Sequence, residues 1–290
     1  MPFVTETTNL SFILPIQSDE KSAAIRFLHH ANKTFFDRET KDNFELLLTH
    51  IVKTKDEFSQ SQNWFETLRQ EVDTIRQART HLKVTCHTVL LHSPALTRAA
   101  LVVQVLDYFQ TKLKANSLLF LTNPYADIES DFLNRCRLNV IEGVQVFFPI
   151  GFYQYHPEII AQTYHFTDNS SVELHKSHGW FNSFAFDHIG LYMSDYLTLK
   201  KSALLLNNSL SAINLYDLFA QASDIHILRS PDQSLRLHYH PFKCDLLDQW
   251  NLIEYNRCLK QREKGLASRS QLAMFVIENE QKMNGVAEKR

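Results

Sequence analysis

Ser117-Leu118-Leu119-Phe120-Leu121-Thr122-Asn123-Pro124 is a compact apolar run closed by an Asn-Pro turn signal. Six residues without a charge, stopped this abruptly, read as a buried strand that ends at a loop. The segments on either side carry helical spacing, so the run is one strand of an alternating α/β chain with a mainly parallel central sheet flanked by helices. Such sheets bind ligands beyond the carboxyl ends of their strands. The turn Thr122 to Asp127 is therefore the first place to look for a site.

Toward the amino terminus, Lys83 to Leu91 alternates like a strand, and Pro94 opens a helix that runs to about Lys114. Gln62 to Leu82 places Trp64, Phe65, Leu68, Val72 and Ile75 at helical spacing. Asn43 to Val52 reads as a strand, Lys21 to Ala31 as a helix, and Leu10 to Pro15 as a buried strand that its proline stops. Toward the carboxyl terminus the pattern is less regular. Val144 to Pro149 is a predicted strand, Tyr155 to Trp180 a polar loop, and a mixed stretch runs to Tyr192. Helices follow near Tyr196 to Leu206 and Asn214 to Ala222, then a strand at Asp224 to Leu228 and a serine-capped helix at Ser268 to Lys282. Without an internal repeat or linker, residues 1–290 read as a single domain with a flexible tail over 284–290.

Composition narrows the function classes. The 290 residues are 44% hydrophobic and 21% charged, which suffices for a full core and excludes a disordered chain. With 30 Lys+Arg against 32 Asp+Glu there is no bulk positive field to hold nucleic acid or an anionic membrane. No stretch approaches the ~20 apolar residues of a membrane span, so composition alone points to a soluble, cytosolic protein. Six glycines against 21 phenylalanines argue against a glycine-rich phosphate cradle and for an aromatic interior.

No zinc-type cysteine pair and no hydrolase or nucleotide-hydrolysing signature appears. Cys86 and Cys136 read as buried thiols, whereas the spacing of Cys244 and Cys258 fits either a disulfide or two free thiols. His238-Tyr239-His240 puts two imidazoles on one side of an extended segment, a possible half of a metal site but equally a surface feature. Sequons stand at Asn9, Asn32, Asn169 and Asn207.

The strand at 117–122 followed by Asp131-Phe132-Leu133-Asn134-Arg135-Cys136-Arg137 resembles the chondroitin synthase and chondroitin polymerizing factor family of glycosyltransferases. The likeness continues in order through Val146-Phe147-Phe148-Pro149, Tyr192-Met193-Ser194-Asp195, His240-Pro241-Phe242-Lys243-Cys244 and Tyr255-Asn256-Arg257-Cys258. Asn214 to Phe219, Ile225 to Arg229 and Ser268 to Met274 resemble the polymerizing-factor branch. The resemblance covers the second, carboxyl-terminal glycosyltransferase domain of that family. It implies a GT-A-like nucleotide-sugar transferase fold and a Golgi-lumenal setting. It also implies an amino-terminal signal anchor and a first transferase domain that this sequence does not contain.

What the resemblance implies for the site is mostly loss. Where active members carry a D-x-D that holds a divalent cation against the UDP-sugar, this sequence has Asn123-Pro124-Tyr125, with Asp127 and Glu129 as the nearest displaced acids. The element that supplies the acceptor-deprotonating carboxylate falls on Leu210 to Leu215, so Asn214 and Leu215 are degenerate positions and Asp217 the alternative. His240 matches the histidine that completes the metal shell. Lys200 and Lys201 replace paired glycines and become candidate contacts for a chondroitin chain. Arg135 and Arg137 either join them or belong to the solvated face of a helix. Cys244 and Cys258 match family positions, which implies a disulfide. The expected role is a polymerizing-factor-like partner of a catalytic chondroitin synthase with no metal or cofactor of its own. The alternative is an active glucuronosyl- or N-acetylgalactosaminyltransferase that uses Mn2+ and a UDP-sugar through the displaced acids.

Overall fold

A computed structural model describes residues 9–39, 43–52, 55–90, 98–157, 160, 178–205, 215–222, 224–240, 252–253, 255–256 and 258–260. The chain forms two compact units, Met1–Gly151 with Ala185–Leu235 and Phe152–Phe184 with Arg236–Arg290. Two of the three crossings, at Gly151–Phe152 in β7 (Ile150–Gln154) and at Leu235–Arg236 in β11 (Pro231–Leu237), fall inside strands, so no linker marks them in the sequence.

In the first unit, β1 (Leu10–Gln17), β2 (Phe44–Val52), β3 (Lys83–Leu90), β4 (Leu118–Leu121), β6 (Gln145–Phe147), β9 (Ile189–Tyr192) and β10 (His226–Leu228) build one sheet in the order β10-β6-β9-β4-β1-β2-β3. The pairs β1 with β2, β2 with β3, β1 with β4 and β6 with β10 are parallel. Only β9 runs against its neighbours β4 and β6. The expected α/β class with a mostly parallel sheet is the one observed. The chain leaves β1 toward β2 and β3 and returns on the other side as β4, which makes the gap between β1 and β4 the switch point where a ligand crevice forms.

Pro15 corrects the sequence reading: β1 continues through it to Gln17. The carbonyl of Ile13 accepts from Thr122 N at 3.4 Å, so Ile13 faces β4 and Pro15, two residues on, faces the same side. By then β4 has ended, and the missing N–H falls where no strand needs it.

Helices α1 (Lys21–Thr34), α2 (Lys55–Ala78), α3 (Arg98–Phe109), α4 (Phe132–Asn139), α5 (Met193–Leu205) and α6 (Leu215–Gln221) accompany the sheet. No described helix is long and apolar enough to cross a membrane. Strand alternation sorts the core into two chemistries. Phe12 gathers Phe27, Phe35, Phe44 and Phe120 with ring centroids 5.4 to 6.3 Å away, and Phe132 stands edge-on to Phe120 at 5.0 Å. Ile13, Leu119 and Leu121 instead join a mainly aliphatic cluster with Val105, Leu106 and Leu191 that also takes in Phe109, Phe148 and Phe219. Phe12, Phe27, Phe35, Phe44, Phe120 and Phe132 thus form one aromatic layer of the core.

In the second unit, β7 (Ile150–Gln154) pairs antiparallel with β8 (Gly179–Phe181) through Phe152 with Phe181 and Tyr153 with Trp180. Cys258 is disulfide-bonded, and Cys86 and Cys136 are free. Cys244, the terminal helix predicted from Ser268 and the tail over 284–290 lie outside the described residues.

Candidate functional site at the carboxyl end of β4

Thr122 and Asn123 emerge from β4 at the switch point, and both are buried. Because β9 is antiparallel, its entry, not its exit, lies beside them: Leu121 is opposite Ile189. Asp187 and His188 arrive there from 64 to 66 residues away. Asn123 donates its side-chain N–H to Asp187 Oδ2 at 2.9 Å, and its Oδ1 accepts from Tyr125 N at 3.0 Å. His188, fully buried, has Nδ1 2.8 Å from Thr122 Oγ1 and Nε2 3.5 Å from Asp187 Oδ1. The tautomer that serves both neighbours carries its proton on Nε2 toward Asp187 and accepts the Thr122 hydroxyl at Nδ1.

The remaining predicted residues are distributed around this chain. Asp127 is on β5 (Ala126–Ile128) and lies 4.0 Å from His30 Nδ1 on α1, whose Nε2 is 3.2 Å from Ile128 O. Arg26 reaches Tyr125 O at 3.4 Å; burial lowers its pKa, and the nearby Asp127 partly offsets that. Glu129 is half-buried and donates its backbone N–H to Ser234 O on β11 (Pro231–Leu237) at 3.0 Å. On α6, Leu215 is buried and Asp217 half-buried, while Asn214 lies outside the described residues. Lys200 Nζ sits 2.5 Å from Asp107 Oδ1 and 3.2 Å from Gln110 Oε1 on α3; Lys201 is exposed. His240 belongs to the second unit, where its ring is 6.2 Å from that of Tyr153.

Arg135 and Arg137 overturn the expectation of solvated helix charges. Arg137 is completely buried and bidentate to Glu39 at 2.6 and 3.3 Å, with a further bond to Asn43 O at 2.9 Å. Arg135 grips Asp232 at 2.6 and 2.9 Å and pairs with Asp131, and these hydrogen bonds, Asp232 first, raise its pKa. Both arginines are scaffold, because α4 packs its cationic side against the acidic ends of neighbouring segments.

Sequence reasoning did not find Asp187, His188, Phe186 or Arg229. Arg229, just beyond β10, donates to Ala185 O at 3.1 Å and lies 4.3 Å above the Phe186 ring. The only available signal was a charged Asp-His pair set against the entry of an apolar strand. Chemically, the β4 terminus offers one carboxylate, an amide whose N–H already faces that carboxylate, and a buried imidazole. A hard cation held against a diphosphate needs several oxygen donors. The Asn123 side fails that requirement, and among the described residues no group of three His, Cys, Asp or Glu is placed to hold a metal ion.

Comparison with known proteins agrees with the likeness read from the motifs. The chain is 27% identical to mouse chondroitin sulfate synthase 2 over 285 residues, 97% of this chain and 35% of that protein. It is 24% identical to human chondroitin sulfate glucuronyltransferase over 299 residues, covering 97% of this chain and 37% of the relative. The chain thus spans about a third of the length of these relatives. Among solved structures it is similar to a mannosyltransferase from Pyrobaculum calidifontis in complex with GDP-Man and Mn2+, at a TM-score of 0.46 and 12% identity, covering 96% of this chain and 75% of that one. The family model for chondroitin N-acetylgalactosaminyltransferase matches residues 1–272, and the chain belongs to that glycosyltransferase family.

Proposed function

We propose that this chain acts as a chondroitin polymerizing factor-like subunit: it supports chain elongation by a catalytic chondroitin synthase while its own donor site is degenerate. One observation carries the reading. Asn123 stands where the family pattern has a metal-binding carboxylate, and its amide is bonded to Asp187 at 2.9 Å. A UDP-sugar and Mn2+ would then be handled by the partner's site, and this chain would contribute folded surface and a hold on the growing chondroitin chain. The disulfide at Cys258 supports an oxidising compartment such as the Golgi lumen, with Cys244 as the proposed partner.

The test has two arms. Calorimetry with UDP and Mn2+ on the isolated chain should show no metal-dependent nucleotide binding, and co-expression with a catalytic synthase should raise polymer length and copurify the pair. Metal-dependent UDP binding with sugar transfer by the chain alone would instead establish a hexosyltransferase using Asp127, Glu129 and Asp217. That alternative requires Asp127 to leave His30 and Arg26.

A further inference from the structure

Two of the sequons lie in described segments, and the fold treats them differently. Asn9-Leu10-Ser11 leads into β1, and Asn32-Lys33-Thr34 closes α1. Asn169 and Asn207 lie outside the described residues.

Asn9 is exposed, and its side chain has no hydrogen-bond partner among the described residues. Leu10, the next residue, is fully buried and pairs with Phe44 and Leu118, which open β2 and β4. Asn9 therefore stands at the amino-terminal end of the central parallel strands, opposite the end where Thr122 and Asn123 emerge. A large substituent on its amide nitrogen breaks no bond there and leaves the β4 terminus open.

Ser11 supplies an independent observation. It carries the only hydroxyl in β1, is 4% exposed, and its side chain has no hydrogen-bond partner among the described residues. Buried hydroxyls are normally bonded, and alanine would fill this place without an unanswered polar group. The fold makes no use of that oxygen. An oligosaccharide transferase, which reads Asn-x-Ser/Thr in the unfolded chain, requires it.

Asn32 has the opposite surroundings. It is half-buried, its Oδ1 accepts from Arg79 Nε, and its backbone carbonyl accepts from Arg79 Nη2 at 3.0 Å. Arg79 also pairs with Asp37, so a sugar on the Asn32 amide would crowd a contact that ties α1 to the residue just past α2.

We infer that Asn9 is an N-glycosylation site and that Asn32 is left unmodified. The donor is a lipid-diphosphate-linked oligosaccharide. Asn9 Nδ2 forms a C–N bond to its anomeric carbon, the C–O bond to the diphosphate breaks with the electron pair leaving on the lipid diphosphate, and the amide gives up one proton. The inference rests on the lumenal setting proposed above.

The full chain, purified from cells that express it, is digested without reduction and treated with a peptide-N-glycosidase in 18O water, which leaves an 18O-labelled aspartate at each formerly glycosylated position. Mass spectrometry should find the label at position 9, none at position 32, and Cys258 in a disulfide. Cys258 in a disulfide with position 9 unlabelled overturns the inference and leaves the lumenal setting standing. A reduced Cys258 with neither position labelled overturns both. Label at position 32 overturns the selection between the two sequons. Asn9→Gln and Ser11→Ala should each remove one glycan from the mobility of the chain on a gel. Ser11→Ala should also melt no lower than the enzymatically deglycosylated parent, and a lower melting temperature would overturn the reading of that hydroxyl.

Discussion

Helix α4 and the turn that precedes it lie within ten residues of each other, yet they have opposite relations to the family pattern. In α4 the pattern is kept, and each kept residue is structural: Phe132 meets Phe120, Cys136 is buried, and Arg137 is locked to Glu39. In the turn, on the function proposed above, Asn123 stands in a ligand's place, and its amide donates to Asp187 at 2.9 Å. The Tyr192 to Asp195 motif follows the first behaviour. Asp195 Oδ1 accepts from the N–H of Gly143, whose φ of 69° suits glycine, and so pins that turn. The function proposed above predicts this contrast between a retained scaffold and an altered turn.

The largest expected effect probes the kept side. Arg137→Met leaves Glu39 buried without its partner and should cost about 3–5 kcal/mol in denaturant unfolding, whereas Arg137→Met with Glu39→Leu should recover most of it. If the single change proves neutral, α4 is not held by this pair. Next, Asp195 is 3% exposed, and burial raises its pKa from 3.8 to about 6, with Glu142 adding to the rise against the bonds from Gly143 and Tyr192. A raised folded pKa means that stability is full below about pH 4 and falls as pH climbs through 6. Asp195→Asn should therefore gain roughly 2–3 kcal/mol at pH 7 and nothing near pH 4, read from melting curves across that range.

Gly190 on β9 tests how tightly the kept scaffold closes. An added Cβ would meet Val140 Cγ2 at 2.8 Å and Cys136 Sγ at 3.0 Å, so Gly190→Ala should cost about 1–3 kcal/mol. The smallest effect concerns the broken side. Asn123→Asp sets a second carboxylate against Asp187, and one of the pair must take a raised pKa. Stability should match the parent at low pH and fall by about 1–2 kcal/mol toward neutrality, the penalty of an uncompensated polar contact. Indifference to pH would show that the two side chains separate without cost, and the comparison between helix and turn would lose its sharpest point.

Much of this was legible in the chain itself. Runs such as Phe44 to Val52 announce strands because both faces of a parallel sheet are covered, and α1 shows its buried stripe of Ala24, Phe27, Leu28 and Ala31 through a 3.6-residue period. The turn after β4 could be located from its Asn-Pro signal. What faces Asn123 could not be read, because Asp187 reaches it only through the reversed direction of β9. The fate of Arg137 was hidden for a similar reason: its partner Glu39 is 98 positions away, and a cation near a helix end looks the same in sequence whether solvated or buried.

Local periodicity and composition thus determined the α/β class, the strand at 118–121 and the place where a site would form, since these depend on neighbours along the chain. Tertiary structure alone decided that Asn123 faces a carboxylate, that Arg135 and Arg137 pair with the distant acids Asp232 and Glu39, and that Trp180 stacks on Tyr155. Each of those depends on which distant segment the sheet brings alongside, and a pairing across tens of residues leaves no trace in local spacing.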